Sequence, residues 1–355
     1  MKNSLRLALI PSVVLLVCAI LIALVTGGTH YLAEKKIGYC FDVAFDEGRN
    51  RLLVAAGAAG LHVLDVSAGA LSYTSTHCDG GYARNLQLSN GRAYVADAER
   101  GLVVLDITGD PPVTKWEQGD VSGMGIYVDG DRAYLAAGED GLHIFGLSNP
   151  DRPELLGQTK TAGAAWDVWV HDDHAYVADV DQGLTVVDVS SAAHPIRAGF
   201  LTWDEASPYA EIVRGEGDAV YVAAASHGLI AVDISDPTDP VLASIYPLAP
   251  DSWAEGLAVK EGLVYLAVGN ERDRRENGLR ILDAHNPYAI SVIGKLSFPD
   301  WVEGVHTTEG AAYIANTFSG ARSVDIRHPD DPLLIDSFTL RQWVTHRLRF
   351  ALRLD

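Results

Sequence analysis

The chain has 355 residues, 48% of them hydrophobic, with 47 acidic against 27 basic residues and a formal net charge of −20. Length alone would allow two ordinary domains, and the apolar content is ample for a core. The charge argues against nucleic acid or an anionic lipid surface as a broad partner, and favours attraction of cations.

Residues 7–26 form an unbroken apolar or small-residue run behind Lys2 and Arg6. Twenty residues at the helical rise span a bilayer core of roughly 30 Å, and the run is longer than the apolar region of a secretory signal. Residues 1–28 are therefore expected to form one N-terminal transmembrane helix, with a cleaved signal peptide as the alternative. The positive N-terminus predicts a cytoplasmic start and an extracytoplasmic remainder. Setting Lys2 and Arg6 aside leaves 25 basic residues facing all 47 acids, a net charge of −22 for the exported part. Residues 29–37 follow as a tether or closing strand. Beyond the anchor the cysteines are Cys40 and Cys78, each just ahead of a repeat, and an oxidising compartment would permit a disulfide between them.

From there the chain repeats itself. A glycine, a short apolar run and an aspartate recur at residues 60–66 (GLHVLDV), 101–107 (GLVVLDI), 141–147 (GLHIFGL), 183–189 (GLTVVDV), 228–234 (GLIAVDI), 278–284 (GLRILDA) and 320–326 (GARSVDI). Successive copies lie 41, 40, 42, 45, 50 and 42 residues apart, a period that marks a repeat architecture whose units cannot fold alone. Ahead of each copy lies a strand pattern in which Tyr94, Tyr134, Tyr176, Tyr221, Tyr265 and Tyr313 occupy one register, with Leu53 in the first unit. Recurrence assigns these rings to packing. A shorter run upstream, as at residues 42–45 or 167–170, supplies an innermost strand. Behind the glycine phrase, turns such as residues 236–240 (DPTDP) lead into an outer strand, as at residues 241–245. Four strands in each of seven units predict an all-β, seven-bladed β-propeller over residues 38–340.

The repeated aspartates Asp65, Asp106, Asp188, Asp233, Asp283 and Asp325 are expected to accept backbone N–H bonds in the turn that follows, since chemistry needs a residue once and not six times. Residues 341–355 close the chain as a basic amphipathic tail alternating arginine with apolar residues.

The Leu-x-Val-x-Asp phrase, the preceding Tyr-Val-Ala-Asp strand and the Asp-Pro-x-x-Pro turn, most complete at residues 233–240 (DISDPTDP), resemble the LVIVD-repeat proteins. The resemblance covers roughly residues 38 to 340. It implies a surface or exported propeller, often anchored to a membrane or wall, and brings no agreed catalytic residues. Gly146 in the third copy and the Ala321-Arg322-Ser323 stretch in the last depart from the pattern.

Position within the repeat points to one face. Loops that lead into the innermost strands carry Phe41-Asp42, Tyr82-Ala83-Arg84-Asn85, Trp166-Asp167, Tyr209-Ala210-Glu211, Trp253-Ala254-Glu255 and Trp301-Val302-Glu303. Asp42, Arg84, Trp166, Asp167, Tyr209, Glu211, Trp253, Glu255, Trp301 and Glu303 are the candidate binding residues. Loops between the second and third strands open on the same side and add Asp97, Glu99, Asp140, Asp179, Asp181 and residues 271–277. Aromatic rings beside carboxylates suit a sugar or an ammonium group, and Arg84 suits a carboxylate. On the pattern of paired aromatic and acidic residues Asp42, Asp167 and Glu211 share one register, whereas Glu255 and Glu303 fall one residue out of phase unless Gly256 and Gly304 mark bulges. Asp42, Asp167 and Glu211 are the candidate ligands for a divalent cation such as calcium.

The cluster His171-Asp172-Asp173-His174 falls in a turn and is read as solvated, and no metalloprotease, nucleophile-elbow or phosphate-loop motif occurs. The sequence thus predicts a single-pass membrane protein whose extracytoplasmic propeller binds a protein or glycan partner through an acidic, aromatic-rich face. The alternatives are a metal-dependent hydrolase or lactonase at the channel mouth and a structural surface protein without a pocket.

Overall fold

The computed structural model describes residues 39–339 apart from 79, 205 and 206. The expected anchor (1–28), tether (29–37) and basic tail (341–355) lie outside the described residues.

Twenty-eight strands, β1–β28 in chain order, form seven four-stranded antiparallel sheets. Each sheet uses four consecutive strands, so each repeat builds one blade. Blade one is β1 (Asp42–Asp46), β2 (Arg51–Ala55), β3 (Leu61–Ser67) and β4 (Ala70–His77). The innermost strands of blades two to seven are β5 (Ala83–Ser89), β9 (Gly125–Asp129), β13 (Ala165–His171), β17 (Ile212–Glu216), β21 (Ser252–Lys260) and β25 (Gly304–Thr307). Each packs beside the next, and β25 returns to β1.

Second and third strands are buried on both faces, which is why they read as near-continuous apolar runs. Their alternate residues feed apolar clusters that lie between neighbouring blades. The repeated tyrosines belong to these clusters. Each is at most 4% exposed, and the Tyr221 hydroxyl donates to the Ala284 carbonyl at 2.9 Å. A core shared between blades leaves no blade able to fold alone.

Five of the six repeated aspartates do what their recurrence implied, and Asp65 is the exception because β3 runs on past it to Ser67 and turns directly into β4. Asp106, Asp188, Asp233, Asp283 and Asp325 each accept the backbone N–H two residues on, at 2.9 to 3.1 Å. Hydrogen bonds hold their carboxyls below the ordinary range. Those of Asp106 and Asp325 fall to about 2, the first through the Thr108 hydroxyl and the second through the Arg327 side chain. His171-Asp172-Asp173-His174 is a tight turn with Asp172 and Asp173 at positive φ, and the Asp172 side chain is 88% exposed.

The ring closes without strand exchange among the described residues. β28 (Leu333–Phe338), the outer strand of blade seven, packs beside β4. The Leu71 N–H donates to Asp336 at 2.8 Å, and the Cys40 N–H donates to the Thr317 carbonyl at 2.9 Å.

The disulfide that the sequence permitted between Cys40 and Cys78 is not formed. Cys40 and Cys78 are both free thiols, the first buried and the second exposed. Cys40 packs in the apolar seam between blades one and seven, whereas Cys78 follows β4 at the outer edge of blade one, near the Ala58 carbonyl. Both precede a repeat in sequence, but one lies at the inner end of a blade and the other at the outer end.

Glycine sets how closely the innermost strands approach. A Cβ on Gly256 would lie 2.1 Å from the Glu303 carbonyl oxygen of the next blade, and one on Gly304 would lie 2.6 Å from that of Phe41. Gly256→Ala is therefore expected to destabilise the protein by roughly 1–3 kcal/mol, the usual cost of overpacking. Chemical denaturation measures this, and an unchanged midpoint would mean that the strands stand further apart than described.

Candidate functional site at the channel mouth

The pairing of first and second strands fixes which residues are equivalent. Asp42, Asn85, Gly125, Asp167, Ile212, Gly256 and Gly304 face Ala55, Ala96, Ala136, Ala178, Ala223, Ala267 and Ala315. The residues just before them are Phe41, Arg84, Met124, Trp166, Glu211, Glu255 and Glu303. Phe41, Met124, Glu211 and Glu303 each donate their backbone N–H to the matching alanine carbonyl at 2.9 to 3.0 Å. In the other three blades the register slips between Ala83 and Asn85, Ala165 and Asp167, and Ala254 and Gly256. These are bulges at Arg84, Trp166 and Glu255, and a bulge re-aims the side chain it carries.

Glu211, Glu255 and Glu303 therefore share one register, and Asp42 and Asp167 occupy the next. The expected alignment of Glu211 with the two aspartates is wrong by one residue; of the two bulges considered, the one beside Gly256 is present, with Glu255 on it, and Gly304 pairs regularly without one.

All seven residues of the first ring line one cavity, which encloses about 550 Å³ with its open mouth included. The wall is asymmetric. Blades five, six and seven supply the three glutamates in succession, while Phe41, Arg84, Met124 and Trp166 come from blades one to four.

On the acidic side the groups hold one another. Glu255 lies close enough to Glu211 and Glu303 to act on both and to be acted on by them, with Trp301 beside it. The Tyr39 hydroxyl donates to Glu303 Oε1. Burial pushes the Glu211 and Glu303 carboxyls up to about 7. It raises Glu255 further, with the charges of Glu303 and Glu211 adding to the effect. Three carboxyls this close retain a proton near neutrality.

Arg84 lies across from them. Its guanidinium carbon is 4.9 Å from the centre of the Phe41 ring and 4.6 Å from that of Trp166. Burial lowers its pKa, and the charges of Glu303, Tyr82 and Glu211 oppose that.

Asp42 and Asp167 have a different task. Asp42 Oδ2 accepts the Asn85 amide at 2.7 Å and the Leu86 N–H at 3.1 Å, and Asp167 Oδ2 accepts the Val213 N–H at 3.0 Å. Asn85 Oδ1 accepts the Ile126 N–H at 3.0 Å. One register position thus clasps each of three blades to the next. Asp167 is fully buried and pairs with Arg214, a residue that sequence reasoning missed and that lines the cavity floor.

Among the described residues no group of three or more His, Cys, Asp or Glu is disposed to hold a metal ion. Asp42 and Asp167 both act electrostatically on Arg214, and Glu211 lies in the other ring. These residues do not fit a shared cation.

The remaining aromatic candidates stand around the mouth rather than in the cavity lining. Tyr209 is exposed and meets Trp253 edge-on with ring centres 6.4 Å apart. Trp301 lies flat over Gly269, where a Cβ would be 2.1 Å from its ring. Asp97 and Asp179, from the second loop set, are buried and bind backbone N–H groups of their own blades.

A family model described as the LVIVD repeat matches residues 80–111, 119–161, 162–201 and 209–247. No curated protein matches the chain. Among solved structures, Sqt1 of Saccharomyces cerevisiae superposes with a TM-score of 0.64 at 9% identity, covering 86% of this chain and 87% of that one. The β-propeller domain of Myceliophteria thermophila Cps50 (Swd1) gives 0.60 at 11% identity, covering 79% and 94%. The computationally designed Ika8 protein gives 0.59 at 12% identity, covering 84% and 86%. At these identities the likeness is one of fold. The chain is a seven-bladed β-propeller in which four stretches, in blades two to five, match the LVIVD repeat.

Proposed function

We propose that this protein is a membrane-anchored, extracytoplasmic binding module that takes its ligand at the channel mouth. LVIVD repeats on a propeller suggest an interaction or structural role. The observation that carries the finer reading is the convergence of Glu211, Glu255 and Glu303, in one register from three successive blades, on a cavity that also holds Arg84 between Phe41 and Trp166. A purely structural ring would close its channel with apolar or small residues. Here several ionisable groups sit at an open mouth, where each costs desolvation unless a ligand shares it. The apolar run at residues 7–26 supports the anchor, and the acidic exported part supports an extracytoplasmic place.

The test is a thermal-shift screen of the full chain against amines, amino acids, sugars and divalent cations, since a ligand of the folded state raises its melting temperature. A shift abolished by Glu255→Gln and kept by Asp172→Asn, a change in the turn at the far end of blade four, supports the site. No shift, or one that survives the Glu255 change, removes it.

A further inference from the structure

We infer that the channel mouth is a site for a small zwitterion of the amino-acid class, with the ligand carboxylate on Arg84 and its ammonium among Glu211, Glu255 and Glu303. The inference rests on the channel-mouth reading and adds the ligand's chemistry. Phe41 and Trp166 hold the Arg84 guanidinium by ring contacts at 4.9 and 4.6 Å. Stacked rings cover the faces of a guanidinium and leave its in-plane N–H donors at the edge. Among the described residues Arg84 makes no side-chain hydrogen bond or ion pair, and the glutamates act on it through charge alone. A fixed guanidinium edge facing a cavity matches a carboxylate bidentately.

The opposite arc has the complementary need. Glu211, Glu255 and Glu303 crowd one side of the cavity, where burial and mutual charge push their carboxyls toward the protonated form, and Tyr39 donates to Glu303. An ammonium brings a positive charge and three donors to the same place. Neither half of such a ligand fits alone. A lone carboxylate reaching Arg84 meets the repulsion of the acidic arc, and a lone amine meets Arg84. A dipolar molecule satisfies both sides, so the pocket discriminates by mispairing the wrong ligands as well as by pairing the right one.

The test uses the full chain, with glycine, β-alanine and γ-aminobutyrate as zwitterions of increasing span, and propionate and propylamine as the halves. Isothermal titration at pH 7.5 reads the affinities. The expected result is that one zwitterion binds at least tenfold more tightly than either half. Arg84→Met should weaken it at least a hundredfold and leave propylamine binding equal or improved. Arg84→Lys, which keeps the charge and loses the fork, should weaken the zwitterion about tenfold and serves if the methionine variant fails to fold. Binding should also release protons, seen as a heat that varies with the buffer's ionisation enthalpy, as the ammonium displaces the proton that the carboxyls retain. If propylamine binds as tightly as every zwitterion, or if both Arg84 variants keep wild-type affinity, the zwitterion inference falls while the channel mouth stands as a site for another ligand. If no zwitterion binds, the inference falls. If in addition no other ligand shift depends on Glu255, the channel-mouth reading falls with it.

Discussion

Replacing Glu211, Glu255 and Glu303 together with glutamine raises the melting temperature at pH 8 and leaves it nearly unchanged at pH 4. The reason is linkage. An exposed glutamate in the unfolded chain titrates near 4.5, and burial moves Glu211 and Glu303 up to about 7 in the folded state, with Glu255 higher still. Between those values the folded chain binds more protons than the unfolded one, so stability falls as pH rises through the window. Below about 4.5 the carboxyls are protonated in both states and carry no penalty. Above 7 the cost is full. One such shift in isolation corresponds to about 3 kcal/mol. The three groups titrate together, and Arg84 gives back part of the cost through its charge, so the sum is less than three times that. A gain on the order of 3 kcal/mol, or about 5 °C for a domain of this size, is the expected value at pH 8. Glutamine keeps the volume and removes the charge. Equal gains at both pH values would show that the effect is packing and not ionisation; a loss at both would show that the carboxyls stabilise the mouth. The outer aspartates act in the opposite sense. Asp106 and Asp325, held down to about 2, contribute stability above pH 3.8 that is lost toward pH 2. The two sets together place the maximum near pH 4 to 5.

How much of this was legible before the structure depends on the range of the interaction. Blade count, the tyrosine register and the turn aspartates are each written in a single repeat and copied, so recurrence alone reveals them. Six of the ten candidates, Asp42, Arg84, Trp166, Glu211, Glu255 and Glu303, line the cavity and were legible because aromatic and acidic residues gather in one class of loop, whereas Met124 lines it without having been a candidate. Their phase was not legible. Glu211 was aligned with Asp42 and Asp167 by matching aromatic–acid pairs, which set it apart from Glu255 and Glu303, the two residues whose register it shares. A signal was available: counting back twelve residues from Ala96, Ala136, Ala178, Ala223, Ala267 and Ala315 lands on Arg84, Met124, Trp166, Glu211, Glu255 and Glu303. In blade one the interval from Ala55 to Phe41 is fourteen, because the β1–β2 turn is longer. Arg214 had no such signal. Its counterparts in other blades are Ala44, Gln87, Tyr127, Trp169, Ala258 and His306, a register with no shared chemistry. It matters through Asp167, 47 positions away in sequence.

Arg214 carries the second large expectation: Arg214→Met costs about 3–5 kcal/mol, the usual result of leaving one member of a buried pair without the other. Asp167 is fully buried, and beyond Arg214 its Oδ2 has the Val213 N–H at 3.0 Å. Burial pushes the Asp167 carboxyl up and Arg214 pulls it down. For Arg214 burial acts downward, but the charges of Asp167 and then Asp42 outweigh it and its pKa is raised. His306 cannot replace the lost cation. Burial, and then the charge of Arg214, lowers it to about 4, so it is neutral at physiological pH. Asp167→Asn alone is expected to cost less than Arg214→Met, because the amide oxygen still accepts the Val213 N–H and Arg214 keeps Asp42 nearby. The double variant Arg214→Met with Asp167→Asn should then recover at least half of the loss, since neither charge remains to be desolvated. Urea denaturation of the four proteins closes the cycle. Additive losses would mean that the two side chains do not depend on one another, and the floor of the channel would then be held by packing. A strong coupling would fix Arg214 as the counter-charge at this side of the mouth, because the same guanidinium also lowers the Asp42 carboxyl, which burial still pushes up to about 7.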